Sequence, residues 1–263
     1  MTALVAVLVV CGTVLFAVWG MLFVRRRVPV EVLEKQHEVG GFVYAALSVI
    51  YGILLAFVVF VVWTGYQSAS DAVANEADQL VDLLRLSHGF PAELHAAIHR
   101  GLRQYTNSVI GDEWPAMREG GSSPKTEAEI EALWQVYVRA AAGGEAGGPL
   151  LSESLDRMAR LADVRRARLG KSASGIPPLL WVLLFGGGLV MILFTYFFGI
   201  RNVRAQMLMT AALASQIAFV LFLVAAIDRP FDGLMQIDAA PFRRVVERLD
   251  AGMSAPGSAV TPR

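Results

Sequence analysis

His95 and His99 stand four residues apart in a stretch that reads as helix, which puts both imidazoles on one face, where Glu93 or His88 could complete a zinc site. Between them lie Ala96, Ala97 and Ile98, so the glutamate that a helical metalloprotease uses as general base is missing. The pair is assigned to an exposed helix face, and no metal is expected. Gly186, Gly187 and Gly188 form a triplet that lacks the strand, lysine and polar context of a phosphate loop and lies in an apolar run, where close helix packing or a kink is the expected role. The serines show no nucleophile elbow, and no histidine follows His99 to serve a downstream triad. Cys11 is the single cysteine, which excludes a disulfide or a cysteine zinc site within one chain. The residues carry no enzyme signature, and no cofactor is expected.

The elements that hold these residues are dictated by composition. Of 263 residues 55% are hydrophobic and 17% charged, and mean hydropathy is +0.51, too apolar for an ordinary soluble domain. Four stretches have no charge: Thr2 to Val24, Val39 to Ser70, Ser172 to Ile200 and Ala205 to Ile227, of 23, 32, 29 and 23 residues. About 20 apolar helical residues cross a bilayer, so each is long enough to span. The 23 basic residues cancel the 23 acidic ones, which argues against a nucleic-acid partner. The first run has no basic segment ahead of it and continues too long for a signal peptide, so it reads as a retained span.

The expected fold is an all-α integral membrane protein, four transmembrane helices in two hairpin pairs with a helical polar region between. The expected division is a first helix pair at 1–65, an extramembrane region at 66–176, a second pair at 177–227 and a post-membrane loop with a disordered tail at 228–263. The second run outlasts the bilayer and keeps a helical apolar period at Val73, Ala77, Leu80 and Leu84, so one long helix is expected to emerge from the membrane. In the polar region Pro91 opens a helix with a stripe at Leu94, Ile98, Leu102, Tyr105 and Val109. Glu113-Trp114-Pro115 is expected to end it, and Thr126 with Glu129 to cap the next. After a glycine-rich break at Gly143 to Pro149, a further helix is expected to carry Arg157, Arg160, Arg165, Arg166, Arg168 and Lys171 toward the membrane. Pro177 and Pro178 open the third span. Trp63, Tyr66 and Trp181 suit the headgroup region.

Two faces of the second span carry information. At 100° per residue, the small residues Gly41, Ala45, Ser48, Gly52 and Ala56 share one face, suited to close helix packing. Beside them lies a bulky stripe of Val49, Ile53, Phe57, Phe60 and Thr64. The ordinary role of such a stripe is to face lipid or the third span. The functional alternative is that it lines an apolar constriction that gates ions by dewetting.

Several pieces resemble the bestrophin-like family of bacterial membrane proteins. They are Tyr51-Gly52 with Leu54-Leu55-Ala56-Phe57, then Trp63, Tyr66, Ala69, Glu76-Ala77 and Leu80; Tyr105 with Glu113-Trp114-Pro115; Arg165-Arg166 with Arg168-Leu169; Pro178 with Trp181; and Asp228-Arg229-Pro230-Phe231-Asp232-Gly233. In that last motif Asp228, Pro230, Phe231 and Gly233 are the candidate functional residues. More distantly the chain resembles the bestrophin channels. That resemblance implies a pentamer of four-span subunits with a helical cytosolic region, and a neck lined by the second span, matched here by Val49, Ile53 and Leu55-Ala56-Phe57. Val49 is smaller than the residues typical of its layer, which implies a wider entrance. Asp232 and Asp238 stand apart rather than in an acidic run, so no calcium clasp is expected.

The reading that follows is a bestrophin-like homo-oligomeric ion channel in the cell (inner) membrane, its partners being lipid, its own copies and a permeant ion. The alternative is a membrane-anchored helical interaction or signalling module without transport. Basic residues near the span ends are balanced between the two sides, and the resemblance implies a cytoplasmic polar region.

Overall fold

The computed structural model describes residues 2–29, 37–143, 148–198 and 200–254. The expected tail lies mostly outside these, as do parts of the first loop and of the glycine-rich break. The described residues form helices α1 (Thr2–Arg27), α2 (His37–Ser87), α3 (Ala92–Ser108), a π-helical turn (Val109–Glu113), α4 (Trp114–Arg118), α5 (Pro124–Ala142), α6 (Pro149–Ala173), α7 (Pro178–Tyr196), α8 (Val203–Ile227) and α9 (Ala240–Ser254). Four of these are long and apolar enough to cross a membrane: α1, α2, α7 and α8. The chain is an all-α membrane protein. It divides into two compact units, residues 1–64 with 175–228, and residues 65–174 with 229–263.

In the first unit α1 packs along α8, and α7 packs beside both. The turn between α7 and α8 is held by polar groups. Asn202 accepts from the amides of Arg204 and Ala205 at 3.0 and 3.3 Å, capping α8. Gln206 donates to the carbonyls of Phe198 and Thr195, and Arg25 at the end of α1 donates to Ile200 O at 2.7 Å, Gln206 Oε1 at 2.7 Å and Arg201 O at 2.9 Å. The bond to Thr195 O satisfies a carbonyl in the last turn of α7, and those to Phe198, Ile200 and Arg201 satisfy carbonyls of the turn itself. At the opposite end of the hairpin, Asp228 Oδ1 accepts from Ile176 N at 2.7 Å, tying the exit of α8 to the entry of α7.

The glycine triplet receives the second span. A Cβ at Gly187 would lie 2.6 Å from the Tyr51 ring, and one at Gly188 would lie 2.9 Å from the Tyr51 hydroxyl. That hydroxyl donates to Leu184 O at 2.9 Å. Gly188 is one turn beyond Leu184, so its missing side chain opens the path to the carbonyl, and a buried hydroxyl gains an acceptor whose loss costs about 1–3 kcal/mol. Tyr44 packs edge-on to Phe198 at 5.3 Å.

In the second unit α3 packs on α5 and α9, and α5 on α6, around a core that includes Val73, Leu80, Leu102, Tyr105, Leu133, Met158 and Phe242. Two local expectations need correction. Glu113-Trp114-Pro115 does not end the helical path: a π turn intervenes, and α4 continues with Pro115 in its first turn, where its missing N–H is tolerated. α5 begins earlier than expected, at Pro124, capped by Ser123, whose hydroxyl accepts from Thr126 N at 3.3 Å. Thr126 is instead buried, 2.7 Å from the Ser108 hydroxyl. Of the basic residues of α6, Arg165 and Arg168 are buried in the core.

Candidate functional site

Helix α2 presents two different faces within the first unit. Tyr51, Val58 and Val62 are 8%, 1% and 7% exposed, against 61% for Val49, 65% for Ile53, 62% for Phe57 and 64% for Phe60. Thr64 continues the exposed stripe and spends its hydroxyl on Phe60 O and Val61 O at 3.0 and 2.9 Å. The five residues therefore form one largely apolar ridge left exposed among the described residues. Beside it, Ala45, Gly52 and Ala56 are exposed, Gly41 and Ser48 are half-buried, and a Cβ at Gly41 or Gly52 would meet nothing within 4 Å. The small-residue face is thus largely open among the described residues.

The second unit contains a charge cluster that sequence reasoning missed. Arg168 donates to Glu76 Oε2 at 2.7 Å, to Glu76 Oε1 at 3.0 Å and to Glu113 Oε2 at 2.6 Å. Arg165 donates to Glu113 Oε1 at 2.6 Å and also pairs with Glu127. The Tyr105 hydroxyl donates to Glu76 Oε1 at 2.6 Å. Glu76, Tyr105, Glu113 and Arg168 are fully buried, and Arg168 also lies 5.6 Å over the rings of Trp114 and Phe242. Burial alone would lower the Arg168 guanidinium, but Glu76 and Glu113 hold it above its ordinary value. Burial raises the Tyr105 phenol, and Glu76 adds to the shift. Burial would raise the Glu113 carboxyl, yet its bonds and charge contacts with Arg165 and Arg168 bring it below its ordinary value. The two buried carboxylates balance the two guanidiniums, with Glu127 adding an exposed contact to Arg165, so the cluster locks helices together and leaves no buried acid or base unpaired. The signal that could have found it is a charge on an apolar stripe: Glu76 sits between Val73 and Leu80, and Arg165 and Arg168 follow Leu161 at helical spacing.

The post-membrane residues do not converge on one site. Asp228 belongs to the first unit and caps the hairpin there. In the second, Phe231 packs edge-on to Trp114 at 5.6 Å, Pro230 O accepts from Ile237 N at 2.8 Å, and Gly233 N donates to Arg229 O at 2.7 Å. The histidines cluster differently from the zinc geometry weighed above. His88 stacks on His95 at 4.7 Å between ring centroids, His95 Nδ1 is 2.9 Å from the Ser87 hydroxyl, and His99 is buried with Nε2 3.0 Å from Leu249 O. The face is therefore not an open one, as expected for the pair, because α9 covers His99. Among the described residues no three His, Cys, Asp or Glu side chains are placed to hold a metal.

Four apolar spans joined to a helical unit with a buried ionic core define a class of multi-pass membrane protein. The sequence matches the Bestrophin-like domain family over residues 11–242, and the chain belongs to that family. Among the residues that carry the resemblance, Glu76, Tyr105, Glu113, Arg165 and Arg168 form the cluster, and Trp114 and Phe231 lie beside it. No curated protein matches the sequence. Among solved structures, a membrane protein variant aligns with a TM-score of 0.74 at 12% identity, over 94% of this chain and 99% of its own. Two structures of a bacterial bestrophin homologue from Klebsiella pneumoniae, one of them a point variant, align at 0.70 and 0.69 with 13% and 14% identity, each over 94% of this chain and 99% of its own. At these identities the likeness is one of fold.

Proposed function

We propose that the protein is a homopentameric ion channel of the inner membrane, whose neck is lined by Val49, Ile53, Phe57, Phe60 and Thr64 of α2. The observation that carries this reading is the division of α2 into a face committed to the chain's own core and an exposed bulky ridge, flanked by small residues open to a neighbouring helix. In lipid, small residues serve close helix approach, so the flank suits a second copy and turns the ridge toward a shared axis. Family membership supports the same assembly. Apolar rings there would resist ions by giving them no replacement for lost water.

The test is ion flux in reconstituted liposomes with Phe57→Ala and Ile53→Ala. Both should raise flux or alter gating, while Leu208→Ala, which is exposed on α8, should leave it unchanged. Native mass measurement after mild extraction should give five copies. A stable oligomer in which neither the wild type nor either ring variant conducts any ion tested would replace the channel by the interaction-module reading.

A further inference from the structure

A cleft of about 370 Å³ opens in the second unit between α4 and the start of α9, with Arg118 and Arg243 among its lining residues and Ile110, Trp114 and Pro115 forming an apolar wall. Its cationic groups are unevenly engaged. Arg243 pairs with Asp238, which lines the same cleft, whereas Arg118 makes no hydrogen bond or ion pair among the described residues. Helix α9 starts at this place; Ala239 before it has no side-chain acceptor and Pro241 has no N–H, so the amides left for a ligand in the first turn are those of Ala240 and Phe242. Two guanidiniums and an uncapped helix start supply positive charge together, the combination that holds phosphate oxygens.

We infer that this cleft binds a phosphate monoester with an apolar body, the phosphate held by Arg118 and Arg243 and the body laid on Trp114 and Pro115. The chain already shows the preference, because Asp238 places a carboxylate on Arg243. A monocarboxylate would only equal that internal partner; a dianionic phosphate can engage both arginines and displace it. The volume exceeds what a bare phosphate needs, and the apolar wall accounts for the remainder. The same headgroup chemistry occurs in free organic phosphates and in phosphatidate.

The experiment uses the full-length protein in detergent, with phenyl phosphate titrated calorimetrically, and separately the retention of phosphatidate against phosphatidylcholine by native mass measurement. Binding of phenyl phosphate, of phosphatidate or of both supports the site and identifies the source. Arg118→Gln should weaken that binding about tenfold, the loss of one charge-assisted contact. Because Arg118 is exposed and has no hydrogen-bond or ion-pair partner among the described residues, this variant should fold as the wild type does. Asp238→Asn removes the internal competitor, and since an exposed pair is worth little, binding should tighten by up to about fivefold. Failure of both probes to bind, binding indifferent to Arg118→Gln, or weaker binding in Asp238→Asn overturns the assignment. None of these outcomes bears on the neck in α2, which is tested by flux.

Discussion

Replacing Arg168 with methionine keeps most of the side chain's apolar length and removes its charge. The effect on the two carboxylates is unequal. Glu113 retains Arg165, but Glu76 retains only the Tyr105 hydroxyl, so one fully buried carboxylate loses its counter-charge. Breaking one side of a buried pair costs about 3–5 kcal/mol. For a unit of this size each kcal/mol moves the midpoint by roughly 2–4 °C, and the expected fall is on the order of 10 °C. Adding Glu76→Gln to Arg168→Met removes the stranded charge and leaves an amide that can still meet Tyr105. The double variant should therefore be more stable than Arg168→Met alone, although each single change is destabilising. Circular dichroism melts of the detergent-solubilised protein at one fixed scan rate read this directly, a fixed rate being needed because unfolding of such proteins is commonly irreversible. A midpoint for Arg168→Met within about 2 °C of wild type, below the shift of a single kcal/mol, would show that the cluster contributes no such locking. Additive losses in the double variant would refute the stranded-charge argument itself.

Two further outcomes follow from the same structure. Glu113 is held below its ordinary 4.5, so its contribution is complete above that value and is lost as pH falls through the lowered folded value. Tyr105 is raised well above 10.0, so its contribution is complete below pH 10 and is lost as pH rises toward the folded value. Thermal midpoints should thus form a plateau between these limits, and Tyr105→Phe should flatten its alkaline edge. In the membrane unit, Gly187→Ala drives a methyl against the Tyr51 ring and should cost about 1–3 kcal/mol. Gly186→Ala meets nothing and should be neutral or slightly stabilising through helix propensity, so equal midpoints for the two would overturn the packing role assigned to the triplet.

Much of the fold was legible because it rests on a one-dimensional property. Runs without charge mark the spans, and the excess length of the second run foretold the continuous helix that ends at Ser87. The buried cluster was not legible, because its pairs join residues far apart in the chain: Glu76 and Arg168 are 92 positions apart. Read locally, the arginines of α6 look like a solvated or membrane-facing series, and only packing separates Arg165 and Arg168 from the exposed Arg166. The capping error has a similar origin. Ser123 and Thr126 are both competent caps, and burial of Thr126 against Ser108 leaves Ser123 to do it.

The two halves of α2 differ in how well the sequence labels their faces. Past the membrane, water opposes the helix, and, the paired Glu76 apart, polarity separates the buried Val73, Ala77 and Leu80 from the exposed Asp71, Asn75 and Asp78. Inside the membrane that contrast vanishes, because lipid is as apolar as a protein core: Val58 and Val62 are buried while Val49 and Ile53 are exposed, with nearly the same chemistry. Periodicity can group these residues by face but cannot say which group turns inward. What distinguishes them is a residue of another kind. Tyr51 has a hydroxyl that must find an acceptor, and Gly187 and Gly188 are the only pair in α7 shaped to admit its ring. Once Tyr51 is committed to α7, helix geometry assigns Val58 and Val62 to the same side and leaves Ile53 and Phe57 facing away.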